Sequence, residues 1–430
     1  MNRILLGLGG LLCAPAASAF CGTYIGGVDD SLYNDVSQVV LARQQGQTTL
    51  TLANDYSGDL SEFAMVIPVP VVLQPDDVRT VEGDLVATVA KFSEPREVAY
   101  TCDDFKPARS QSGLGCVDEL SINASADSGS AQPPSDVVIE SSFSVGIYDI
   151  VVLSAEESSS LMEWLSTNGY GVDASAEALL GEYIDSGAYF FAAKVDIGDQ
   201  LAGDPEQSTW LEPLQFTYPS EAFSLPIRLG TLNSRGSQDV LIYAFTDPAS
   251  GSVGISNYPE VNIPRDCMLG PDSDMTDYVN AEFDLAIDNE GGSAWMLEHS
   301  WNPLHCDPCT GPVLDDRISS EFGFEGQAWF SRLRVRYDAD VTEDLMLYES
   351  GRNQQTQGRY IQFNPEVAEA FSFCDSDTEM PDKGYKRCKH TKNTAQSSLG
   401  SGLFSAGSVG LIAVAGAAMM RRRREPEDQH

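Results

Sequence analysis

Residues 137–195 read VVIESSFSVGIYDIVVLSAEESSSLMEWLSTNGYGVDASAEALLGEYIDSGAYFFAAKV. The run 137–152 is rich in β-branched and aromatic residues, which suit a pleated, half-buried surface. Ser154 and Glu157 then stand at capping-box spacing and predict a helix start. Behind them Leu161, Trp164 and Leu165 recur at helical spacing, and Asn168-Gly169 supplies the stop. Asp173 or Ser175 opens a second helix carrying Leu179, Leu180, Tyr183 and Ile184, with Gly187 past its end. Residues 189–195 return to strand. Strand, helix, helix and strand, set among further strands, predict an α+β chain in which strands dominate.

Outward from this block the strands continue. Residues 39–41 and 48–52 flank Gln45-Gly46, a hairpin signal. Residues 63–70 read as a buried strand, but Pro68 and Pro70 cannot donate to a ladder, so its second half belongs at an edge or leaves the sheet. A helix is expected at 81–92, followed by a strand to Tyr100. Beyond the block, strands are expected at 214–218, 223–229 and 240–245, a helix at 277–289 and a strand at 294–298. Residues 329–337 alternate large and charged side chains, which predicts a half-exposed strand. There is no internal repeat.

The two ends set an address. Arg3, the apolar stretch 4–12 and Ala17-Ser18-Ala19 have the form of a cleaved signal peptide, so the mature chain is expected to begin at Phe20. Leu12 and Phe20 precede Cys13 and Cys21 where lipoprotein processing needs a small residue. Residues 402–420 carry no charge and are followed by four arginines, Arg421 to Arg424. At about 1.5 Å per residue they reach about 28 Å, close to the hydrocarbon thickness of a bilayer. The arginines would stay cytoplasmic and leave the body outside. This ending resembles bacterial C-terminal sorting tails, although 397–402 lacks a clear recognition element and retention as a plain anchor stays open.

The expected division is a signal peptide (1–19), an N-terminal β-rich subdomain (20–102) and a linker or long loop (103–136). An α+β main domain (137–370), a Cys-stapled acidic loop and spacer (371–401), a transmembrane or sorting helix (402–420) and an Arg-rich cytoplasmic tail (421–430) follow. The formal net charge of the 430 residues is -38. Such a surface repels nucleic acid and anionic headgroups, so neither is expected as a ligand of the body. The membrane contact falls to residues 402–420, and the further partner is an unidentified envelope component.

After signal cleavage eight cysteines remain: Cys21, Cys102, Cys116, Cys267, Cys306, Cys309, Cys374 and Cys388. An even number in an oxidising compartment predicts a disulfide-stabilised exported ectodomain, with connectivity open. Cys102/Cys116 and Cys374/Cys388 share a spacing and are candidate local staples. Cys306-Asp307-Pro308-Cys309 is the redox candidate, with His305 able to acidify the first thiol. Against it, Thr310-Gly311-Pro312 breaks the helix start that such motifs need. Cys306, Cys309, His305 and either His299 or Cys267 do not amount to a zinc signature, because no second C-x-x-C completes them. No cofactor is expected. Calcium is the alternative, at Asp375, Asp377, Glu379 and Asp382 or at Asp272, Asp274 and Asp277. Met380 occupies a position where an EF-hand loop requires Gly. Solvated acidic loops explain both runs without metal. A Ser-His-Asp site would have to draw on His299 or His305, and no G-x-S-x-G elbow accompanies them.

Several stretches taken in order resemble the bacterial domain-of-unknown-function family 2330. They are Phe20-Cys21-Gly22 with residues 63–70, residues 145–150, and Trp164-Leu165 with Asn168-Gly169-Tyr170. Residues 225–229 and 306–309 complete the set, and the resemblance covers roughly residues 20–370. It implies an exported protein and carries no catalytic residue across. The resulting expectation is an uncharacterised, non-enzymatic envelope protein with a binding or structural ectodomain. The alternatives are an extracytoplasmic thiol–disulfide protein using Cys306 and Cys309, and more remotely a hydrolase.

Overall fold

The computed structural model describes residues 23–25, 37–56, 62–99, 136–170, 174–196, 209–233, 236–265, 267–269, 274–304, 314–362 and 386–387. All fall within the compact unit Met1–Thr391, and the unit Lys392–His430 lies outside them.

Strand β1 (Thr23–Ile25) precedes the hairpin β2 (Ser37–Gln44) and β3 (Gln47–Tyr56), whose turn holds Gln45 at φ 53° and Gly46 at φ 79°. The hairpin and the positive φ of Gly46 are as expected, and Gln45 joins it, since two successive positive φ angles give the primed turn that matches strand twist. Next come β4 (Glu62–Val69), a 3-10 turn Pro75–Asp77, β5 (Val78–Thr80), helix α1 (Gly83–Ser93) and β6 (Arg96–Ala99). The block quoted above folds as β7 (Val137–Val145), β8 (Tyr148–Ala155), α2 (Ser158–Thr167), α3 (Ala176–Asp185) and β9 (Tyr189–Asp196). Short β10 (Thr209–Trp210) leads to β11 (Leu214–Pro219), β12 (Ser224–Leu225), a 3-10 segment Arg228–Asn233 and β13 (Gln238–Thr246). Then follow β14 (Val253–Ile255), β15 (Cys267–Met268), α4 (Met275–Asn289) and β16 (Ala294–Trp301). The series ends with α5 (Asp316–Glu321), β17 (Trp329–Tyr337), β18 (Leu345–Glu349), β19 (Thr356–Gln357), β20 (Arg359–Gln362) and β21 (Lys386–Arg387).

These strands make a five-stranded sheet, β1-β4-β9-β8-β7, a nine-stranded sheet, β19-β16-β17-β13-β2-β3-β11-β5 with β10 beside β3, and two smaller ones, β12-β18-β14 and β21-β15-β20-β6. The two large sheets each draw strands from either side of residues 103–136. Where they face each other lies the main core: Val39, Leu41, Ile67, Ile150, Phe191, Phe216, Ile242, Leu333 and their neighbours. The outer face of the five-stranded sheet is covered by α2 and α3 through Leu161, Trp164, Leu165, Leu180 and Tyr183. The outer face of the nine-stranded sheet is covered by α1 and the α5 region, which bury Val40, Tyr243, Phe245 and Phe330. Helix α4 packs beside them on Ala294 and Met296. The result is helices, sheet, sheet, helices: a strand-dominated α+β fold in four layers. Strands buried on both faces need apolar residues at successive positions, which is why Val39 to Ala42 do not alternate.

The Pro68 expectation agrees with the register. β1 pairs only with Ala64 to Val66 of β4, so among the described residues Pro68 has no neighbour on that side and pairs with Phe190 on the other.

Three local expectations are corrected. Ser154 does not cap a helix: β8 runs through it, and its hydroxyl donates across the hairpin to Glu140 at 2.6 Å. The N-cap is Glu157, with no side-chain capping bond. The strand expected at 223–229 stops at Leu225, because Pro226 cannot donate and the chain coils into a 3-10 segment. β17 is an interior strand between β16 and β13, not a half-exposed one, and its charged face lies beneath helices.

Candidate functional site

In β16 the pairing with β17 shifts register between Leu297 and His299, so Glu298 and His299 together oppose Arg332. A bulge of this kind re-aims side chains, and here it brings a carboxylate, an imidazole and a guanidinium together inside the protein. Arg332 Nε and Glu298 Oε2 stand 2.6 Å apart with side chains 10% and 3% exposed. This contact is a Coulombic pair rather than a well-directed hydrogen bond, since neither atom meets hydrogen-bond geometry. Arg332 also donates to the Ala90 carbonyl of α1 at 3.2 Å and lies 5.7 Å from the Tyr243 ring. Tyr243 in turn donates to Gln38 at 3.2 Å. Burial raises the Tyr243 pKa to about 12, despite the opposing pull of Arg332.

His299 is 2% exposed and sits edge-on to Phe92 at 5.2 Å and to Phe330 at 5.8 Å. Neither ring nitrogen has a hydrogen-bond partner among the described residues. Burial, reinforced by Arg96 and Arg332, holds its pKa down to about 3. A base must reach the proton that it removes, and this imidazole reaches no hydroxyl among the described residues. The sequence-level Ser-His-Asp candidate is therefore not assembled at His299.

Further along the same face, β17 continues with Arg334 and Arg336. Asp239 of β13 accepts from both, at 3.1 Å from Arg334 Nη2 and at 2.5 and 2.9 Å from Arg336. Arg334 also donates to Asn280 of α4 at 2.9 Å, and Arg336 pairs with Asp284. Both guanidinium groups lie over Phe283, at 4.4 and 5.3 Å. Cation–π contacts and shared carboxylates thus fasten α4 to the sheet.

A second knot lies on the other helical layer. Asp344 accepts from the Tyr183 hydroxyl at 2.8 Å, from Ile227 N at 2.9 Å and from Arg228 N at 3.3 Å. Arg228 pairs with Glu182 and lies 4.8 Å from the Tyr183 ring. Burial first, then Asp344, pushes the Tyr183 phenol far above its ordinary value.

The other sequence candidates are placed as follows. Cys21, Cys102, Cys116, Cys306, Cys309, Cys374 and Cys388 lie outside the described residues, as do His305, Asp272, Asp375, Asp377, Glu379 and Asp382. So do the segments 1–19 and 402–420. Cys267 begins β15, whose backbone runs parallel to β20 opposite Tyr360 and to β21 opposite Lys386. Asp274 has a structural role: its carboxylate caps α4 by accepting from Thr276 N and Asp277 N. Asp277 lies in the first turn, where the helix dipole favours an acid. Among the described residues, no three His, Cys, Asp or Glu side chains form a metal-holding group, and no helix is long and apolar enough to cross a membrane.

The family described as "Uncharacterized protein conserved in bacteria (DUF2330)" matches residues 15–348. The chain belongs to this family. The match takes in both polar knots and Cys306-Cys309, and it ends before β19 to β21. No curated protein and no solved structure matches the chain.

Proposed function

We propose that the chain is an exported, non-enzymatic protein of the bacterial envelope whose ectodomain binds a partner or contributes to surface structure. In this reading residues 402–420 hold it at the membrane and disulfides reinforce the body. The observation that supports it is how the buried charges of the body are used. Arg332, Arg334 and Arg336 reach from the nine-stranded sheet to α1 and α4, Glu298 and Asp239 neutralise them within the sheet, Asp344 accepts from Tyr183 of α3, and His299 is sealed and neutral. Such interior groups make a rigid scaffold. The signal-peptide form of residues 1–19 and the arginines after residue 420 support the address.

The competing reading is thiol–disulfide exchange at Cys306 and Cys309, motivated by their C-x-x-C spacing beside His305. Alkylation trapping of envelope-purified protein in graded glutathione separates the two. A scaffold keeps both thiols oxidised under mild reductant, whereas an oxidoreductase opens the Cys306–Cys309 bridge readily and forms a mixed disulfide. Ready exchange would overturn the non-enzymatic reading.

A further inference from the structure

His299 is reached by four elements besides its own strand. Helix α1 contributes the Phe92 ring, β17 contributes Phe330 and Arg332, β6 contributes Arg96, and β19 pairs with β16 at His299 opposite Gln357. The neutral ring fits this cage of aromatic edges. An imidazolium does not: it would carry two N–H donors where neither nitrogen has an acceptor among the described residues, beside the guanidinium groups of Arg96 and Arg332. The nearby carboxylates are engaged elsewhere. Glu298 is paired with Arg332, and Glu94, just past α1, is paired with Lys91.

The elements closing over His299 are tied to one another. Arg96 donates from its guanidinium to the Phe92 carbonyl at 3.2 Å and from its backbone N–H to the Gly358 carbonyl at 2.9 Å. The first bond ties β6 to the end of α1 and the second ties it to the residue before β20. Helix α1 holds the nine-stranded sheet through Phe92 against His299 and Phe330, through Ala90 to Arg332, and through Val86 and Val89 in the apolar cluster with Val40 and Tyr243, while β6 pairs in parallel with β20.

We propose that His299 is an acid-sensitive latch, whose protonation loosens the C-terminal turn of α1 from the face of the nine-stranded sheet. The sign follows from where the proton is tolerated. An unfolded or opened chain takes it as pH falls through about 6.5, whereas the closed cage resists it down to about 3. Closure is thus favoured above pH 6.5 and weakens steadily as pH falls through that window. The proposal is independent of the envelope assignment.

The test is hydrogen exchange on the full chain at pH 7 and pH 5, corrected for intrinsic rates, in wild type and in His299→Phe and His299→Gln. The amides in the C-terminal turn of α1 should lose about tenfold or more of their protection in wild type and less than about twofold in both variants. Equal loss in wild type and variants would overturn the latch. If neither variant folds, imidazole NMR titration of the wild-type chain decides, because only four histidines are present. One ring silent down to at least pH 4.5 while the fold persists is expected. All four titrating near pH 6.5 in folded protein would overturn the proposal.

Discussion

Glu298 and Arg332 form the most deeply buried ion pair among the described residues. Leaving one member of a buried pair without its partner costs about 3–5 kcal/mol, whereas replacing both by apolar side chains is often near neutral. Glu298→Ala should therefore lower unfolding stability in urea by about 3–5 kcal/mol. The double change Glu298→Leu with Arg332→Leu should cost less than that single change. A Glu298→Ala cost within experimental error of zero would show that the pair does not stabilise the interior. The phenols give a pH-dependent counterpart. Burial pushes Tyr243 to about 12, and burial with Glu343 does the same for Tyr258. Their folded pKa values are raised, so their contribution to stability is complete below pH 10 and declines from there toward pH 12. Absorbance at 295 nm should show these tyrosines ionising only as the chain unfolds. How much of this site was legible follows from the same residues. Glu298 and His299 are visible in the sequence as polar residues ending an apolar strand, but the bulge that turns both toward Arg332 is not. Nor does Ser331 to Arg336 reveal a helix above it, since arginines alternating with apolar residues look the same under a helix as in water.

At the scale of elements, the turns were the readable part. Gln45-Gly46 and Asn168-Gly169 announce backbone geometry that few other residues adopt, and both are found where expected. The Ser154–Glu157 spacing misled because a cross-strand acceptor, Glu140, captures the hydroxyl first. Two glycines test the packing of elements. At Gly46 an added Cβ meets nothing within 4 Å, so Gly46→Ala should cost only the left-handed backbone penalty of about 1 kcal/mol. At Gly323, with φ +82°, the same atom would stand 2.4 Å from Thr49 Oγ1 and 2.7 Å from Thr49 Cβ. Gly323→Ala must force the turn after α5 away from β3 and should cost clearly more than Gly46→Ala in parallel urea titrations. Equal costs would mean that this turn is not pressed against β3.

For the whole molecule, strand dominance could be read from composition and period, but the four-layer arrangement could not. Its central event is the parallel pairing of β2 with β13, which joins Ser37 to Val240 and Ala42 to Phe245 across some two hundred residues. No local pattern encodes a contact that distant. Net charge acts at this scale as well. With -38 spread over the chain, self-repulsion opposes the compact state and salt screens it. Raising sodium chloride from about 0.05 to 0.5 M, where the screening length falls below about 5 Å, should raise Tm. A flat or falling Tm would show that the acidic surface is balanced locally.

Whether this family member is the extracytoplasmic scaffold proposed above is decided by non-reducing peptide mass mapping of protein from the native envelope. The predicted result is a chain beginning at Phe20, with cysteine peptides joined in disulfides and Cys306 and Cys309 among them. A full-length chain beginning at Met1, recovered from the cytosol with its cysteines reduced, would contradict it.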